Sequence, residues 1–151
     1  MSEIKLPDDL PGFIKNHLRL YLETDGKEGH MWQAPGLDPL PTLLLKTKGR
    51  RSGKERILPL IYGKRGDDYV VVASKGGFPT HPLWYLNLVD EAEVGVQVAT
   101  EKFQARARTA SGDERSSLWE MMAEIYSPYN DYQKTAGTRE IPVVVLERSS
   151  E

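Results

Sequence analysis

The stretch TLLLKTKGRRSGKERILPLIYG, residues 42–63, predicts two β-strands joined by a short turn. Residues 42–47 and 55–63 are rich in branched apolar side chains, which favour strands, whereas residues 48–54 are polar and carry two glycines. Pro59 has no N–H to donate to a ladder, so the second strand is predicted to lie at a sheet edge or to carry a bulge. A hairpin is therefore the unit to which the rest of the fold is added.

Four further strands are predicted, because short apolar or alternating runs recur between turn residues. They span residues 69–74, 94–98, 103–109 and 141–147. Six strands in close succession with few crossover helices argue against a doubly wound parallel sheet and favour a largely antiparallel barrel. The predicted fold class is mainly β with helices at the ends of the barrel.

Three helices are predicted around these strands. Residues 8–23 carry apolar side chains at the i, i+3, i+4 spacing, which indicates an amphipathic helix packed on the domain, with a lid or membrane-surface element as the alternative. Residues 82–88 begin with proline at a plausible first helical position and predict about two helical turns. Ser111 and Glu114 have the spacing of a capping box, and the helix that follows has an apolar stripe ending at Ile125.

Length and composition indicate one domain. The chain has 151 residues, of which residues 1–41 are predicted to form the N-terminal helix and a loop, and residues 42–148 the barrel. The sequence contains no cysteine, which excludes a disulfide scaffold, a thiolate metal site and a cysteine nucleophile. It also has neither the apolar core of a signal peptide nor a run of the ~20 apolar residues that a membrane span needs. A cytoplasmic protein is expected, with attachment to a membrane surface left open.

Positive charge is concentrated in one segment. Residues 46–65 hold eight Lys and Arg side chains and one Glu, although the whole chain has a formal net charge of -2 and a pI near 6.0. General nucleic-acid binders spread positive charge over a face and have a high pI, so nucleic acid is not the expected partner. A turn bracketed by Gly49 and Gly53 exposes N–H groups, and arginine matches phosphate or carboxylate with its planar fork. The segment predicts a clamp for a small polyanionic ligand.

The common catalytic patterns are missing from the sequence. The three histidines, His17, His30 and His81, lack the i, i+4 spacing and the carboxylate neighbours of a metal site, so no metal is predicted. There is no G-x-S-x-G, no P-loop and no G-x-G-x-x-G. A hydrolase nucleophile and the two nucleotide fingerprints are therefore unsupported.

Four segments have the composition of binding elements. They are the basic turn in residues 49–60, a glycine-rich strand end in residues 73–77, HPLWYLNL in residues 81–88, and the tyrosine series YSPYNDYQ in residues 126–133. Each alone is more often structural or solvated. Together, a basic clamp, an open strand end and an aromatic wall suit a planar cofactor that carries phosphate.

The order of these segments resembles the deazaflavin-dependent nitroreductase family. The resemblance rests on KTKGRRSGKERILPL, then VVVASKGG, HPLWYLNL and YSPYNDYQ, followed by IPVVVLE, and runs from about Leu43 to Glu147. It implies a split β-barrel of the flavin-reductase or FMN-binding type. It also implies the 8-hydroxy-5-deazaflavin coenzyme (coenzyme F-420) as cofactor, and hydride transfer to a quinone, an enone or a nitro compound.

The same resemblance implies a set of residues that bind the coenzyme. They are Arg50, Arg51, Ser52, Gly53, Arg56, Pro59, Leu60, Val72, Ser74, Lys75, Gly76, Gly77, Leu83, Trp84 and Asn87. The first five would hold the phosphate and the oligoglutamate tail, the next two would lie beside the ring, and the others would come from the strand end and the short helix.

The resemblance also implies catalytic candidates. Tyrosines lining the acceptor side would be Tyr126, Tyr129 and Tyr132, with Tyr126 or Tyr129 as proton donor and Ser74 as its partner. Ile61 stands where some nitroimidazole-activating relatives carry Tyr, which argues against that substrate, and Tyr62 should point to the opposite side of the strand.

Alternatives remain at this point. An FMN-dependent reductase of the same barrel type also binds a phosphate, and a cofactor carrier or quinone-sensing module needs no turnover. A small-molecule acceptor is expected for a deazaflavin-dependent or an FMN-dependent reductase. The expected assembly is a monomer or weak homodimer, and the N-terminal helix is the element that would touch a membrane.

Overall fold

The structure is a computed structural model that describes residues 12–32, 39–77 and 80–149. Within these ranges the strands are β1 (Met31–Trp32), β2 (Leu40–Lys48), β3 (Glu55–Ile61), β4 (Gly63–Arg65), β5 (Asp68–Val72), β6 (Glu93–Val98), β7 (Glu101–Thr109) and β8 (Val143–Arg148). The helices are α1 (Gly12–Glu23), α2 (Leu83–Asp90), α3 (Gly112–Ile125) and α4 (Pro128–Thr135), with a short 3-10 turn at Lys75–Gly77.

The strands form one curled antiparallel sheet. Its order is β1-β2-β6-β7-β8-β5-β4, and β3 pairs with β2 outside this path. All of the paired strands in the described residues run antiparallel. The curled sheet is a half-barrel, and its antiparallel order confirms the predicted mainly-β fold class with flanking helices.

The hairpin of residues 42–63 forms with the expected turn. Its register runs from Thr42 opposite Ile61 to Lys48 opposite Glu55. Because β3 has β2 as its ladder partner and no second one in the described residues, the predicted edge position of Pro59 is confirmed.

The second predicted strand, residues 55–63, is wrong at its end, because the chain breaks at Tyr62 and Gly63 starts β4 beside β5. A Cβ at Gly63 would lie 2.7 Å from Met122 Sδ and 2.8 Å from Met121 Cε, so a larger residue there would require these flexible side chains of α3 to shift. The short strand β4 thus pairs with β5 and lies close to α3, an arrangement that the apolar pattern does not indicate.

The two faces of the sheet build different cores. The concave face holds side chains such as Leu43, Leu45 and Val71, and α2 adds Trp84 and Leu88 to them. The convex face of β5 and β8 is covered by α3 and α4 and contains the second cluster. Burial on both faces explains why β5 and β8 are uninterrupted apolar runs rather than alternating ones. We call the first cluster the inner core and the second the outer core.

The N-terminal helix packs on the domain, as its apolar spacing predicts. Leu18 and Tyr21 are fully buried and contact Leu44 of β2. The Tyr21 hydroxyl donates to the Thr42 carbonyl at 3.1 Å and accepts from the Ala99 N–H at 2.7 Å, which fixes the helix to β2 and to the β6–β7 turn. Residues 8–11 of the predicted helix lie outside the described residues. No helix in the described part is long and apolar enough to cross a membrane.

Other local predictions need correction. The predicted loop of residues 24–41 contains β1, which pairs with the start of β2. The predicted capping box does not form: Ser111 is the N-cap residue of α3 but makes no side-chain capping bond, and Glu114 forms a two-pronged pair with Arg108 at 2.6 and 2.8 Å. Helix α4 was not predicted, and Pro82 precedes α2 rather than forming its first residue.

Candidate active site

The basic turn between β2 and β3 is closed by its own backbone. The Gly49 N–H donates to the Lys54 carbonyl at 2.7 Å, and the Gly53 N–H donates to the Gly49 carbonyl at 2.8 Å. Gly53 has a positive φ of 70°, a conformation that favours glycine. Ser52 Oγ accepts from the Lys54 N–H at 3.2 Å. The sequence of the turn thus specifies a fixed loop rather than a flexible one.

The cations of this turn face solvent. Arg50, Arg51, Lys54 and Arg56 are exposed, and none of them pairs with a carboxylate among the described residues. The acid of the segment, Glu55, lies 3.8 Å from Lys46 instead. The turn therefore offers several uncompensated guanidinium and ammonium groups to an anion.

Asn87 ties the basic turn to α2. Its Oδ1 accepts from the Arg50 N–H at 3.2 Å, and its Nδ2 donates to Thr47 Oγ1 at 3.4 Å. Asn87 and Thr47 are both buried, so these bonds also satisfy polar groups away from water. Asn87 consequently sets the orientation of the turn relative to the short helix.

The glycine-rich strand end packs against α4. After β5 the chain enters the 3-10 turn, where Lys75 has a φ of 49° and Gly77 a φ of 85°. A Cβ at Gly77 would lie 2.6 Å from Thr135 Oγ1 and 2.8 Å from the Tyr132 carbonyl oxygen. Glycine is required there by both space and conformation. Two segments that lie far apart in the sequence, the strand end and the tyrosine series, are thus brought together.

Arg139 connects the strand end to the segment before α2. Its guanidinium donates to the Ala73 carbonyl at 3.1 Å, to the Ser74 carbonyl at 2.7 Å and to His81 Nδ1 at 3.0 Å. Burial lowers the pKa of His81, and the neighbouring charge of Arg139 lowers it further. Neutral His81 thus accepts at Nδ1 and carries its proton on Nε2.

Two of the three tyrosines share a hydrogen bond. The hydroxyls of Tyr126 and Tyr132 lie 3.1 Å apart and both side chains are half-buried. Burial raises the pKa of Tyr126 to about 12, and the bond to Tyr132 contributes to the rise. Tyr129 is 5% exposed, and burial raises its pKa above the usual value as well. The hydroxyls of Tyr126 and Tyr129 therefore favour the protonated form, as a proton donor requires.

The structure separates exposed candidates from buried ones. Trp84 is 8% exposed and packs in the inner core, and Leu60 packs against the same cluster. Val72 and Tyr129 lie in the outer core. Leu83, in contrast, is 64% exposed at the start of α2. These placements favour scaffold positions for the buried residues and contact positions for the exposed ones.

The remaining candidates lie in β3 and at the end of β5. Ser74 is half-buried at the end of β5, Gly76 lies within the 3-10 turn, and Pro59 is half-buried in β3. Ile61 packs against the outer core while Tyr62 packs against the inner core, which confirms that the two point to opposite sides.

Two of the histidines have structural contacts elsewhere. His17 Nε2 lies 2.6 Å from the Gly29 carbonyl oxygen, and His30 Nε2 lies 2.7 Å from the Tyr62 hydroxyl. Within the residues described, no group of three or more His, Asp or Glu side chains is placed to hold a metal ion.

A solved structure of low sequence identity shows the class of the fold. HutZ, the heme storage protein from Vibrio cholerae, superposes with a TM-score of 0.55 at 15% identity, covering 89% of this chain and 92% of that chain. An identity this low shows the fold alone, and the fold is that of the split β-barrel proteins.

More similar sequences define the family. The F420H(2)-dependent quinone reductase family matches residues 13–148. An F420H(2)-dependent quinone reductase of Mycobacterium tuberculosis is 36% identical over 138 residues, which cover 89% of this chain and 89% of the relative. The chain belongs to the F420H(2)-dependent quinone reductase family, and the resemblance drawn from its sequence motifs to deazaflavin-dependent reductases is confirmed.

Two solved structures extend this comparison. The F420-H2 dependent reductase FDR-A is 40% identical with a TM-score of 0.66, covering 71% of this chain and 94% of that chain. Another structure, of a domain-swapped dimer, is 34% identical with a TM-score of 0.68, covering 88% of this chain and 96% of that chain. The half-barrel and its helices are therefore shared with relatives of clear sequence similarity.

Proposed function

We propose that this protein is an oxidoreductase that transfers a hydride from the reduced 8-hydroxy-5-deazaflavin coenzyme to a quinone. Family membership supports the reaction class. The observation that carries the proposal for this chain is the basic turn. It is closed by its own hydrogen bonds and anchored to α2 by Asn87, and its exposed cations lack carboxylate partners in the described residues.

The residues of the site fit the charged parts of the coenzyme. A phosphate and an oligoglutamate tail present several anionic oxygens, which the planar forks of Arg50 and Arg51 match in pairs. Lys75 adds a third cation at the strand end, where its Nζ also donates to Thr80 Oγ1 at 3.2 Å. The proposed coenzyme site thus runs from the basic turn past α2 to the 3-10 turn.

The chain contributes orientation and a proton. When bound in its reduced form, the coenzyme supplies a hydride to an electron-poor acceptor. Tyr126 and Tyr132 would hold the acceptor's carbonyl oxygen, and the bond between their hydroxyls lets one tyrosine orient the other. Because the pKa of Tyr126 is raised to about 12, its proton is present throughout the neutral range. Tyr129 would support this pair from the outer core, and Ser74 would border the acceptor.

A titration of the purified protein with the deazaflavin coenzyme and with FMN, followed by fluorescence, tests the cofactor. We expect the deazaflavin to bind more tightly, because its tail adds anionic groups that FMN lacks. Menadione added to an excess of the reduced coenzyme with a catalytic amount of the protein should then oxidise the coenzyme over many turnovers. Tighter binding of FMN would favour the FMN-dependent alternative, and tight deazaflavin binding without turnover on quinones or enones would favour a carrier.

The remaining proposals concern the number of domains, the oligomeric state and contact with a membrane. A single domain is supported by the family match over residues 13–148. A homodimer is supported by the domain-swapped dimer of a 34% identical relative. Contact of the N-terminal helix with a membrane stays a prediction, and the burial of Leu18 and Tyr21 against the domain leaves less apolar surface for it.

A further inference from the structure

We propose that Arg139 is a positioning residue that holds the coenzyme-binding strand end in its working geometry. This inference rests on the proposed function and extends it to a residue outside the sequence motifs. The guanidinium of Arg139 reaches the Ala73 and Ser74 carbonyls and His81, all from a segment that follows the tyrosine helix α4.

The Ser74 carbonyl is the origin of the 3-10 turn. It accepts from the Gly77 N–H at 3.0 Å and from Arg139 Nη2 at 2.7 Å. The preceding residue, Ala73, makes the last sheet-like contact of β5, through its N–H to the Pro142 carbonyl at 3.0 Å. Arg139 therefore bonds to the main chain where β5 ends and the 3-10 turn with the exposed Lys75 begins.

The backbone at this point needs such support. Lys75 has a φ of 49°, which is disfavoured for a residue with a Cβ. An isolated turn would relax from this conformation and carry the ammonium group away from its position. Two charge-assisted bonds to consecutive carbonyls oppose that relaxation, since hydrogen bonds with an ionised donor are about twice as strong as neutral ones.

Arg139 also relates three parts of the site to one another. Its bond to His81 fixes the segment before α2, and its own carbonyl accepts from Gln133 Nε2 of α4 at 2.7 Å. The strand end, the short helix and the tyrosine helix are thus joined through one residue. A substitution of Arg139 should therefore weaken coenzyme binding through the strand end. It should not alter binding of the acceptor, which Arg139 is not expected to contact.

Arg139→Met and Arg139→Lys, compared with Arg115→Met, test this role. Arg115 is a matched control, because it is also half-buried and donates to a main-chain carbonyl, that of Ile141, at 2.7 Å. We expect Arg139→Met to raise the Kd of the deazaflavin coenzyme by about tenfold or more, the change that ~1.4 kcal/mol produces. Arg139→Lys, which keeps one charged donor, should recover part of this loss. Arg115→Met should leave the Kd within about twofold of wild type.

Kinetic and thermal measurements separate positioning from a general loss of stability. For Arg139→Lys, the KM for the coenzyme should rise while the KM for menadione stays unchanged. The thermal midpoints of Arg139→Lys and Arg115→Met should fall by similar amounts. A Kd for Arg139→Met equal to that of wild type would overturn the inference. Should Arg139→Met not fold, an Arg139→Lys variant with the wild-type Kd and KM would overturn it equally. Failure of the wild-type protein to bind the coenzyme would instead remove the proposed function, and the inference with it.

Discussion

The two sides of the candidate site are built in opposite ways. The basic turn is exposed, bonds mainly within itself and is tied to the domain through Asn87. The tyrosine side is packed: Gly77 meets the backbone of α4, Tyr129 lies in the outer core, and Arg139 joins three segments. The first side is suited to recognition by charge, which tolerates small shifts. The second is suited to recognition by shape, which does not.

The largest effect is expected when the charged side is neutralised. Arg51→Ala combined with Lys75→Ala should raise the Kd of the deazaflavin coenzyme by about 100-fold, since bonds between charged groups and ligand oxygens are the stronger kind. Fluorescence titration measures this Kd. Added salt should weaken binding by the wild-type protein more than by the double variant.

The control for this prediction removes the same charge elsewhere. Lys27 and Lys102 are exposed, in the loop after α1 and at the start of β7 respectively. Lys27→Ala with Lys102→Ala should leave the Kd close to that of wild type. An equal loss in both double variants would mean that net charge matters rather than the turn, and the contrast between the two sides would fail.

The packed side is tested by filling the space at Gly77. Gly77→Ala places a Cβ against the Tyr132 carbonyl at positive φ, whereas Gly66, also at positive φ, has open space around its Cβ position. We expect Gly77→Ala to lower the free energy of unfolding by about 2 kcal/mol more than Gly66→Ala does. Urea unfolding of both variants gives this difference. Equal losses would show that the contact with α4 is not tight.

Removal of the Tyr126 hydroxyl should have a smaller effect than either of these changes, and the effect should be on turnover. Tyr126→Phe is expected to lower kcat with menadione by about tenfold while changing the Kd of the coenzyme little, because Tyr132 can still donate to the acceptor. Tyr129→Phe should lower kcat less, since its side chain is buried. A larger loss for Tyr129→Phe would make that tyrosine the proton donor.

The pH profile checks the same assignment. The pKa of Tyr126 is raised from 10.0 to about 12, mainly by burial, so the neutral hydroxyl is favoured in the folded protein. The preference for the neutral form contributes stability below pH 10 that is lost as the pH rises toward the folded-state value. Activity should therefore show no alkaline loss from Tyr126 up to about pH 10.

The smallest effect is expected at Asn87, which ties the basic turn to α2. Asn87→Ala removes the bonds to Arg50 and Thr47, and the turn should keep its own closure while losing its orientation. A rise in the Kd of the coenzyme of about fivefold is expected, because of the two bonds only the one to Arg50 reaches the turn. Asp90→Ala, an exposed change on the same helix, is the control and should have no effect on binding.

The fold was largely predictable, because its strands are marked by local patterns. The hairpins of residues 42–61 and 93–109 have clear apolar runs and turn residues between them. Helix α4 was not predictable, since Pro128–Thr135 is polar and rich in tyrosine and has no apolar period. It forms because Tyr129 packs into the outer core, and tertiary packing of this kind overrides weak local propensity.

The site was predictable where it repeats a motif and unpredictable where it depends on geometry. The basic turn and Asn87 stand in recognisable segments, and the structure joins them directly. Arg139 is one polar residue between a helix and a buried strand, and nothing local marks it as a partner of Ser74. The sequence also does not distinguish an aromatic side chain that lines a pocket from one that lies in a core. Trp84, predicted to bind the coenzyme, lies in the inner core.

The proline in β3 has a consequence for the behaviour of the protein at high concentration. Tyr62 donates its N–H to the Pro41 carbonyl across the pair, so alternation along the strand turns the Pro59 nitrogen, three positions away, toward the open edge. An incoming strand from another molecule would find no hydrogen there to bond. A missing donor at the middle of an edge that no described strand covers discourages pairing with a strand of another molecule, so we expect this proline to lower the tendency toward fibril growth.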